Sequence, residues 1–417
     1  MAGRKHIIFH IDVNSAYLSW TALEKLKNGS ETDLRTIPSI IGGDEKSRHG
    51  VVLAKSIPAK KYGIQTGEPV AAALRKCPGL VMEPPDHKLY RRYSQAMIQL
   101  LSEEFSSELE QVSIDECYLD FTSVSSRYAS PEEAAALIRD RILEAFGFTV
   151  NVGISTAKVL AKMASDFEKP GKIHTLYPEE IREKMWPLPV SDLFMVGRRS
   201  ASKLEGLGLR TIGELAQADP AFLAAHFKSH GKLMWEYANG IDPSPVVTEK
   251  QEAKGIGNST TLSEDVTEAA KAKEILFSLS ESVARRLQKA GQLAGTVTVE
   301  IKYFDFTKAS HQTQAFSPVN RAEDICRLAC SLFDELWDGR PVRLLGIRSS
   351  KLTAKDEPVQ LSIFDLPPAA GKEPKKEEAV QAPSSEKLQK LDAAMEKIRR
   401  KYGENAVHRG SLRTKDS

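Results

Sequence analysis

The 417-residue chain has almost no excess of either charge: 58 Lys and Arg stand against 56 Asp and Glu, a formal net charge of +2. That balance removes global charge as evidence for or against a nucleic-acid partner and leaves the question to local patches. Cysteine is scarce. Cys77, Cys117, Cys326 and Cys330 are too dispersed for a CxxC metal clip, and only the last two share a helix face. They read as reduced thiols in a reducing compartment. No apolar run is long enough to span a membrane, and the apolar start of MAGRKHIIFHID is broken by His10 and Asp12 before it could serve as a secretion signal. A cytoplasmic protein with no membrane partner is expected. There is no internal repeat. What remains is enough chain for two to four domains at about 100 to 200 residues each.

His6 to Val13, rich in Ile and Val, reads as a buried strand with Asp12 at its C-terminal end. Ser15 to Lys27 has apolar residues at near-helical spacing and stops at Asn28-Gly29. Thr36 to Leu80 is a small inserted subdomain with VVLAKS as a short strand. A helical pattern from Tyr90 to Leu109 precedes VSIDECYLDF, and a helix from Pro131 to Phe146 has proline in its first turn. FTVNVGIS reads as a strand, and TAKVLAKMASDFEKPGK as a basic-faced helix stopping at Lys169, Pro170 and Gly171. This order predicts an α/β layer with a partly antiparallel sheet. Pro178 to Asp242 reads as all-helical. Lys254 to Lys355 then gives a βαββαβ order, its first helix running from Glu264 to Ala290, with both helices on one face of an open sheet. After Lys355 comes a linker rich in Pro, Ala, Lys and Glu, and an amphipathic helix from Glu386 to Tyr402.

Two features carry chemistry. Asp115 and Glu116 sit inside an apolar, strand-like run, where each must be solvated, paired or bound to a cation. An acidic hairpin turn facing water accounts for them; so does convergence with Asp12 at one edge of the sheet. Oxygen-only ligands favour Mg2+ or Mn2+, and two such ions about 3.5 to 4 Å apart can clamp the attacking and leaving oxygens of a nucleotidyl transfer. In the helical region, Gly206 and Gly208 allow a tight turn whose outward N–H groups could cradle a phosphate; an ordinary αα-hairpin needs a glycine too. Arg198, Arg199 and Arg210, placed around that turn, favour the DNA backbone.

In HIDVNSAYLSW, AKKYGIQTGEP, SIDECYLDFT, GISTAKVLAKMASDFEKPGKI and the glycine-turn segment, the chain resembles the Y-family DNA polymerases, and within them the bacterial DinB type. The likeness runs to Asp365. It implies a multidomain α/β (α+β) fold: a palm with a mixed sheet at 1–15 and 83–177, fingers at 16–82, a helical thumb with a helix-hairpin-helix at 178–243, a βαββαβ little finger at 253–356, and a clamp-binding motif with a flexible tail at 357–417.

The resemblance also implies roles. Asp12, Asp115 and Glu116 would be catalytic and bind two Mg2+ ions, with the Val13 carbonyl as a further ligand and Mn2+ as an alternative ion. Tyr17 falls where the family keeps a ring under the incoming sugar, a steric gate against a 2′-hydroxyl; helix core packing is its other reading. Lys60, Lys61 and Lys169 would contact the triphosphate of the dNTP, Lys169 as a point charge unless it is merely a solvated helix-end lysine. Gly206, Gly208 and Arg198 would meet the DNA backbone.

Where many relatives present a hydroxyl residue, a Tyr and an Arg, this chain has Ala54, Ile57 and Lys60, which predicts modest nucleotide affinity; Pro58 biases Ile57 towards an extended conformation. Asn14, where some relatives have Asp, is not expected to be a ligand. Gln360, Leu361, Ile363 and Phe364 resemble the short motif that docks into the β-subunit sliding clamp of bacteria. The expected function is DNA-directed, low-fidelity translesion synthesis by a monomer on primer-template DNA, without proofreading. The alternatives are a noncatalytic DNA- and clamp-binding adaptor that retains the fold, and another palm-type enzyme such as a nucleotide cyclase.

Overall fold

In chain order, β1 (Ile8–Val13) and α1 (Ala16–Lys27) are followed by an inserted segment of β2 (Ser39–Gly42), β3 (Val52–Lys55), α2 (Ile57–Lys61), α3 (Val70–Lys76) and β4 (Val81–Glu83). The chain then forms α4 (His87–Glu104), β5 (Leu109–Gln111), β6 (Glu116–Asp120), α5 (Pro131–Phe146), β7 (Val150–Ser155), α6 (Lys158–Asp166) and β8 (Ile173–Thr175). Four short helices come next: α7 (Arg198–Gly206), α8 (Ile212–Gln217), α9 (Pro220–Phe227) and α10 (Ser229–Ala238). The last part comprises β9 (Gly255–Val266), α11 (Ala269–Lys289), β10 (Gln292–Tyr303), β11 (Lys308–Val319), α12 (Ala322–Leu336) and β12 (Val342–Ala354). This is a computed structural model, and it describes residues 6–43, 50–249 and 252–354 together with Ala394. The motif Gln360 to Asp365 lies outside the described residues, as does the helix expected at Glu386 to Tyr402 apart from Ala394.

The first sheet has the order β5-β6-β1-β7-β8, antiparallel except between β7 and β8. Its central strand β1 is covered on both faces, and strand alternation sorts its residues. Phe9, Ile11 and Val13 join a large core with Leu18 and Trp20 of α1, Tyr90 and Met97 of α4 and Ile138 of α5. Ile8 and His10 face the other way: Ile8 packs with Ala161 of α6, and His10 bonds Ser165 of the same helix. Asp12, two residues further along, shares that face. Helix α6 can lie directly on the sheet because β7 offers Gly153 opposite His10; a Cβ there would collide with the Ala161 carbonyl and the Ser165 N–H.

The inserted segment has a three-stranded sheet, β3-β2-β4, over a small core of Ile40, Val52, Ala59, Ile64 and Val70. Ile57 is not extended. It opens α2, because the Ser56 hydroxyl caps the helix by accepting the Ala59 N–H at 3.0 Å and Pro58 sits in the first turn, where a missing N–H costs nothing. Helix α6 likewise stops at Asp166, three residues before the expected Lys169. The short helices α7 to α10 pack around Leu204, Ile212, Leu215, Leu223 and Met234, with Leu160 and Met163 of α6 in the same cluster.

The third sheet, β11-β10-β12-β9, is antiparallel throughout, and α11 and α12 bury Leu279, Val283 and Phe333 against Val297, Val299, Ile301 and Ile347 on one face. Thr298, Glu300, Lys302 and Arg348 project from the opposite face. Glu264 belongs to β9 rather than to the helix predicted from it: the strand continues to Val266, which pairs with Val342, and α11 starts at Ala269. Between α10 and β9 the chain is strapped to the first sheet. Asp242 Oδ2 accepts the Val159 N–H at 3.0 Å, Val246 packs on Ile8 and Tyr118, and the Val247 N–H donates to Glu110 Oε2 at 2.7 Å. Lys158 Nζ, 2.6 Å from the same Glu110 oxygen, closes the strap by bonding the Pro245 carbonyl at 3.3 Å.

Candidate active site

Antiparallel register sets Asp12 directly opposite Glu116, so their side chains share the α6 face of the sheet. The turn before β6 supplies Asp115. Ser113 organises it: its hydroxyl donates to Asp115 Oδ1 at 2.6 Å and accepts the Glu116 N–H at 3.1 Å, while the Asp115 carbonyl accepts the Val13 N–H at 2.9 Å. The two adjacent acids therefore both sit at the Asp12 end of the sheet, but they point differently. Asp115 lines a cavity of about 400 Å³ together with Asp12, Tyr17, Ala54, Lys55 and Thr66. Glu116 turns towards α6.

There, cations hold the carboxylates. Lys162 Nζ lies 3.1 Å from Glu116 Oε2, 3.4 Å from Asp12 Oδ2 and 3.3 Å from Asp166 Oδ2, and Lys169 Nζ lies 3.1 Å from Asp12 Oδ2. His10 Nε2 is 3.2 Å from Glu116 Oε2. The His10 bond, aided by Lys162, keeps the Glu116 carboxyl down at about 2 despite its burial. Burial works against the Lys162 ammonium, but Asp12, Asp166 and Glu116 outweigh it and raise its pKa. Asp115 behaves in the opposite sense: burial pushes its carboxyl up, and the negative charges of Asp12 and Glu116 add to that against the Ser113 bond. Among the described residues no three acid, His or Cys side chains are gathered into a ready-made cation cage.

Tyr17 forms one wall of the cavity, and its ring is fixed. It stacks on Tyr90 at a centroid distance of 4.3 Å and an interplanar angle of 7°, with His87 edge-on at 6.2 Å. Lys60 and Lys61 are exposed on α2 and do not line the cavity. Lys55 does, one residue beyond Ala54; its Nζ donates to the Ile64 carbonyl at 2.6 Å, and burial, with Lys60 nearby, lowers its pKa. Sequence reasoning passed over Lys55, His10 and Lys162. The last two were findable: His10 shares its strand face with Asp12, and Lys158, Lys162, Asp166 and Lys169 follow a helical spacing.

At the glycine turn, Gly208 has φ +87°, and a Cβ at Gly206 or Gly208 would meet nothing within 4 Å. The turn's amides do not point outward unpaired. Gly208 N–H donates to the Glu205 carbonyl and Leu209 N–H to the Leu204 carbonyl, both at 3.0 Å, and Glu214 Oε2 takes the N–H groups of Arg210 and Thr211. Arg198 and Arg199 are not around this turn either. They begin α7, so eight residues of helix, about 12 Å, separate Arg198 from Gly206; Arg198 Nη2 instead reaches Gln65 Oε1 at 3.5 Å.

With this geometry in view, the comparisons with known proteins are consistent along the chain. A model of the impB/mucB/samB family matches residues 11–166, the model of that family's C-terminal domain matches 253–363, and the IMS family HHH motif matches 178–209. The chain is 47% identical over 410 residues to DNA polymerase IV of Clostridium acetobutylicum, covering 98% of this chain and 99% of the relative. It is 36% identical over 420 residues to DNA polymerase IV 1 of Bacillus subtilis, covering 100% and 95%. A solved chimeric Y-family DNA polymerase shares the fold with a TM-score of 0.73 at 21% identity, covering 84% of this chain and 99% of that one. The architecture is thus the multidomain α/β fold of a Y-family polymerase. Within that class the chain belongs to the impB/mucB/samB family and to its DNA polymerase IV branch, the translesion DNA polymerases.

Proposed function

We propose that Asp12, Asp115 and Glu116, with the Val13 carbonyl, hold two Mg2+ ions beside a deoxynucleoside triphosphate seated in the Tyr17 cavity, on primer-template DNA. The observation that carries this reading is the pairing of Asp12 with Glu116 at the same sheet end where the Ser113 turn delivers Asp115 to the cavity wall. The donor set fits hard cations, being all oxygen. The upward push on Asp115 supports the fit, since clustered negative charge is relieved by a cation. Bound there, the ions would supply Lewis-acid stabilisation of the attacking and leaving oxygens.

The protein's own groups do the rest. Ser113 fixes the Asp115 carboxylate by donating to Oδ1, and His10 fixes Glu116 by donating from Nε2. Lys162 has Asp166 as a further partner, so it can release Asp12 and Glu116 while remaining paired. Lys169 and Lys55 offer positive charge to the triphosphate, and exposed Lys60 and Lys61 add to the field from outside the cavity. The Tyr17 ring, immobilised on Tyr90, leaves no room for a 2′-hydroxyl. Gly206 and Gly208, open on their outer side, let a DNA backbone come close to the helical hairpin, with Arg198 contributing charge from the far end of α7.

In this reading the palm comprises 1–15 and 83–177, the fingers 16–82, the thumb 178–243 and the little finger 253–356. The chain acts as a monomer, tethered to the bacterial sliding clamp through Gln360, Leu361, Ile363 and Phe364, which raises its effective concentration at the primer end. Extension of a primed template with Mg2+ and dNTPs, set against Asp115→Ala, tests the site. Extension by the wild type and none by the variant is expected; equal extension would overturn the assignment of Asp115, and no extension by the wild type would favour an adaptor.

A further inference from the structure

Behind the carboxylates, two asparagine side chains lie end to end in the protein interior. Asn14 is 8% exposed and Asn151 is fully buried. Asn14 Oδ1 accepts the Thr149 hydroxyl and the Gly171 N–H, both at 2.9 Å, and its Nδ2 donates to Asn151 Oδ1 at 3.1 Å. Asn151 Oδ1 also accepts the Lys172 N–H at 3.2 Å, while its Nδ2 donates to the carbonyls of Ser165 at 2.9 Å and Glu168 at 2.6 Å. The pair therefore grips the backbone at Ser165, Glu168, Gly171 and Lys172. Lys169, with its Nζ on Asp12 and on Asp166 at 2.9 Å, is in the middle of the gripped segment.

Backbone groups fix the polarity of this chain of bonds, because a carbonyl can only accept and an N–H can only donate. The Ser165 and Glu168 carbonyls require Asn151 Nδ2 on their side, so Asn151 Oδ1 faces Lys172 and Asn14. The atom of Asn14 facing that oxygen must then be a donor, and the atom facing the Gly171 N–H must be an acceptor. A primary amide of this length supplies both, whereas an ionised carboxylate offers acceptors alone. Aspartate at position 14 would set a carboxylate oxygen against Asn151 Oδ1; turning Asn151 to answer it would bring oxygen against the Ser165 and Glu168 carbonyls. Either arrangement leaves buried polar groups unpaired, and the segment is the part that can yield.

We propose that Asn14 and Asn151 form an amide clamp that positions the Glu168–Lys172 segment, and with it Lys169, for the triphosphate, and that position 14 requires an amide rather than a carboxylate. The clamp itself stands on the bonds above; its effect on the nucleotide rests on the reading of Lys169 as a triphosphate contact.

The test uses the full chain with primer-template DNA and compares Asn14→Asp, Asn14→Ala, Lys169→Ala and the Asn14→Asp/Lys169→Ala double variant. Amide hydrogen exchange at Gly171 and Lys172 is expected to rise in both Asn14 variants while affinity for primer-template DNA stays at the wild-type level. The apparent KM for dNTP is expected to rise about tenfold or more in Asn14→Asp and in Lys169→Ala, with kcat changing less, and the double variant should be no worse than Lys169→Ala. Unchanged exchange at both amides in Asn14→Ala and Asn14→Asp would overturn the clamp. Increased exchange with additive losses in the double variant would overturn its action through Lys169. A wild-type KM in Lys169→Ala alone would instead remove the triphosphate reading and leave the clamp to be judged by exchange. Asn14→Ala introduces no charge, so it carries the test if Asn14→Asp does not fold.

Discussion

His10 and Glu116 are joined across adjacent strands by a bond of 3.2 Å from Nε2 to Oε2, and the other ring nitrogen of His10 lies 2.8 Å from the Ser165 hydroxyl. Burial lowers the His10 pKa, which favours the neutral ring, although the Glu116 bond opposes that. A neutral imidazole facing a carboxylate carries its proton on Nε2, which leaves Nδ1 beside the Ser165 hydroxyl, whose single proton the Lys162 carbonyl at 2.8 Å also takes. The relay runs from α6 through β1 to β6 and fixes one carboxylate oxygen of the acidic site.

Replacing His10 should therefore act on cation binding before anything else. His10→Leu is expected to raise the Mg2+ concentration for half-maximal extension by about 10- to 100-fold, the usual effect of losing a bond to a ligand's outer side. His10→Gln, whose amide nitrogen reaches a position near Nε2, should recover much of the loss. Mn2+ binding followed by electron paramagnetic resonance gives a reading independent of turnover. Identical titrations for the wild type and His10→Leu would show that the bond has no such role.

Gly153 controls how closely α6 approaches the sheet. Because a Cβ would collide with the Ala161 carbonyl, Gly153→Ala should cost about 1–3 kcal/mol in urea denaturation, the range for overpacking a core. The same displacement moves Lys162 and Ser165, so activity should fall further than stability alone explains. A variant with wild-type stability would mean that α6 shifts freely.

The gate prediction concerns Tyr90 as much as Tyr17. Tyr17→Ala is expected to raise ribonucleotide incorporation relative to deoxynucleotide by about 10- to 200-fold, the scale of discrimination that pocket shape provides. Tyr90→Leu keeps Tyr17 but removes the ring stacked 4.3 Å from it, so its discrimination should fall between those of the wild type and Tyr17→Ala. Competition between the two nucleotides on one template measures this, and a wild-type ratio in Tyr90→Leu would show that Tyr17 holds its position unaided.

For the nucleotide grip, the cavity favours Lys55 over Lys60. Lys55→Ala should raise the apparent KM for dNTP more than Lys60→Ala, since only the former lines the cavity. Single-nucleotide insertion kinetics separate them; a larger effect at Lys60 would restore the assignment made from the family's pattern.

Legibility in the sequence follows how local the determining forces are. The helix from Pro131 to Phe146 is bounded as expected because its signals are local: Pro131 in the first turn, the Ser130 hydroxyl as cap, and Gly147 at φ +80°. β2, β4 and β8, of three or four residues each, were not seen, because such strands exist only through their partners. The same holds for the site. Asp12 and the adjacent acids were legible as carboxylates in apolar runs, but the divergence of Asp115 and Glu116 depends on the Ser113 turn and on strand register. The helical spacing of Lys162 was legible but its ion pairs were not, since they depend on where α6 crosses the sheet, and Gly153 decides that crossing.

The strap at Asp242 to Val247 limits the travel of the last domain. With Val247 fastened to Glu110, the chain from there to Gly255 at the start of β9 can extend no farther than about 29 Å. Measured along a nucleic-acid strand at roughly 3.4 Å per step, that leash is about eight nucleotides long. The point where the third sheet begins is thus confined to a radius of less than one duplex turn about Val247 for as long as the strap holds.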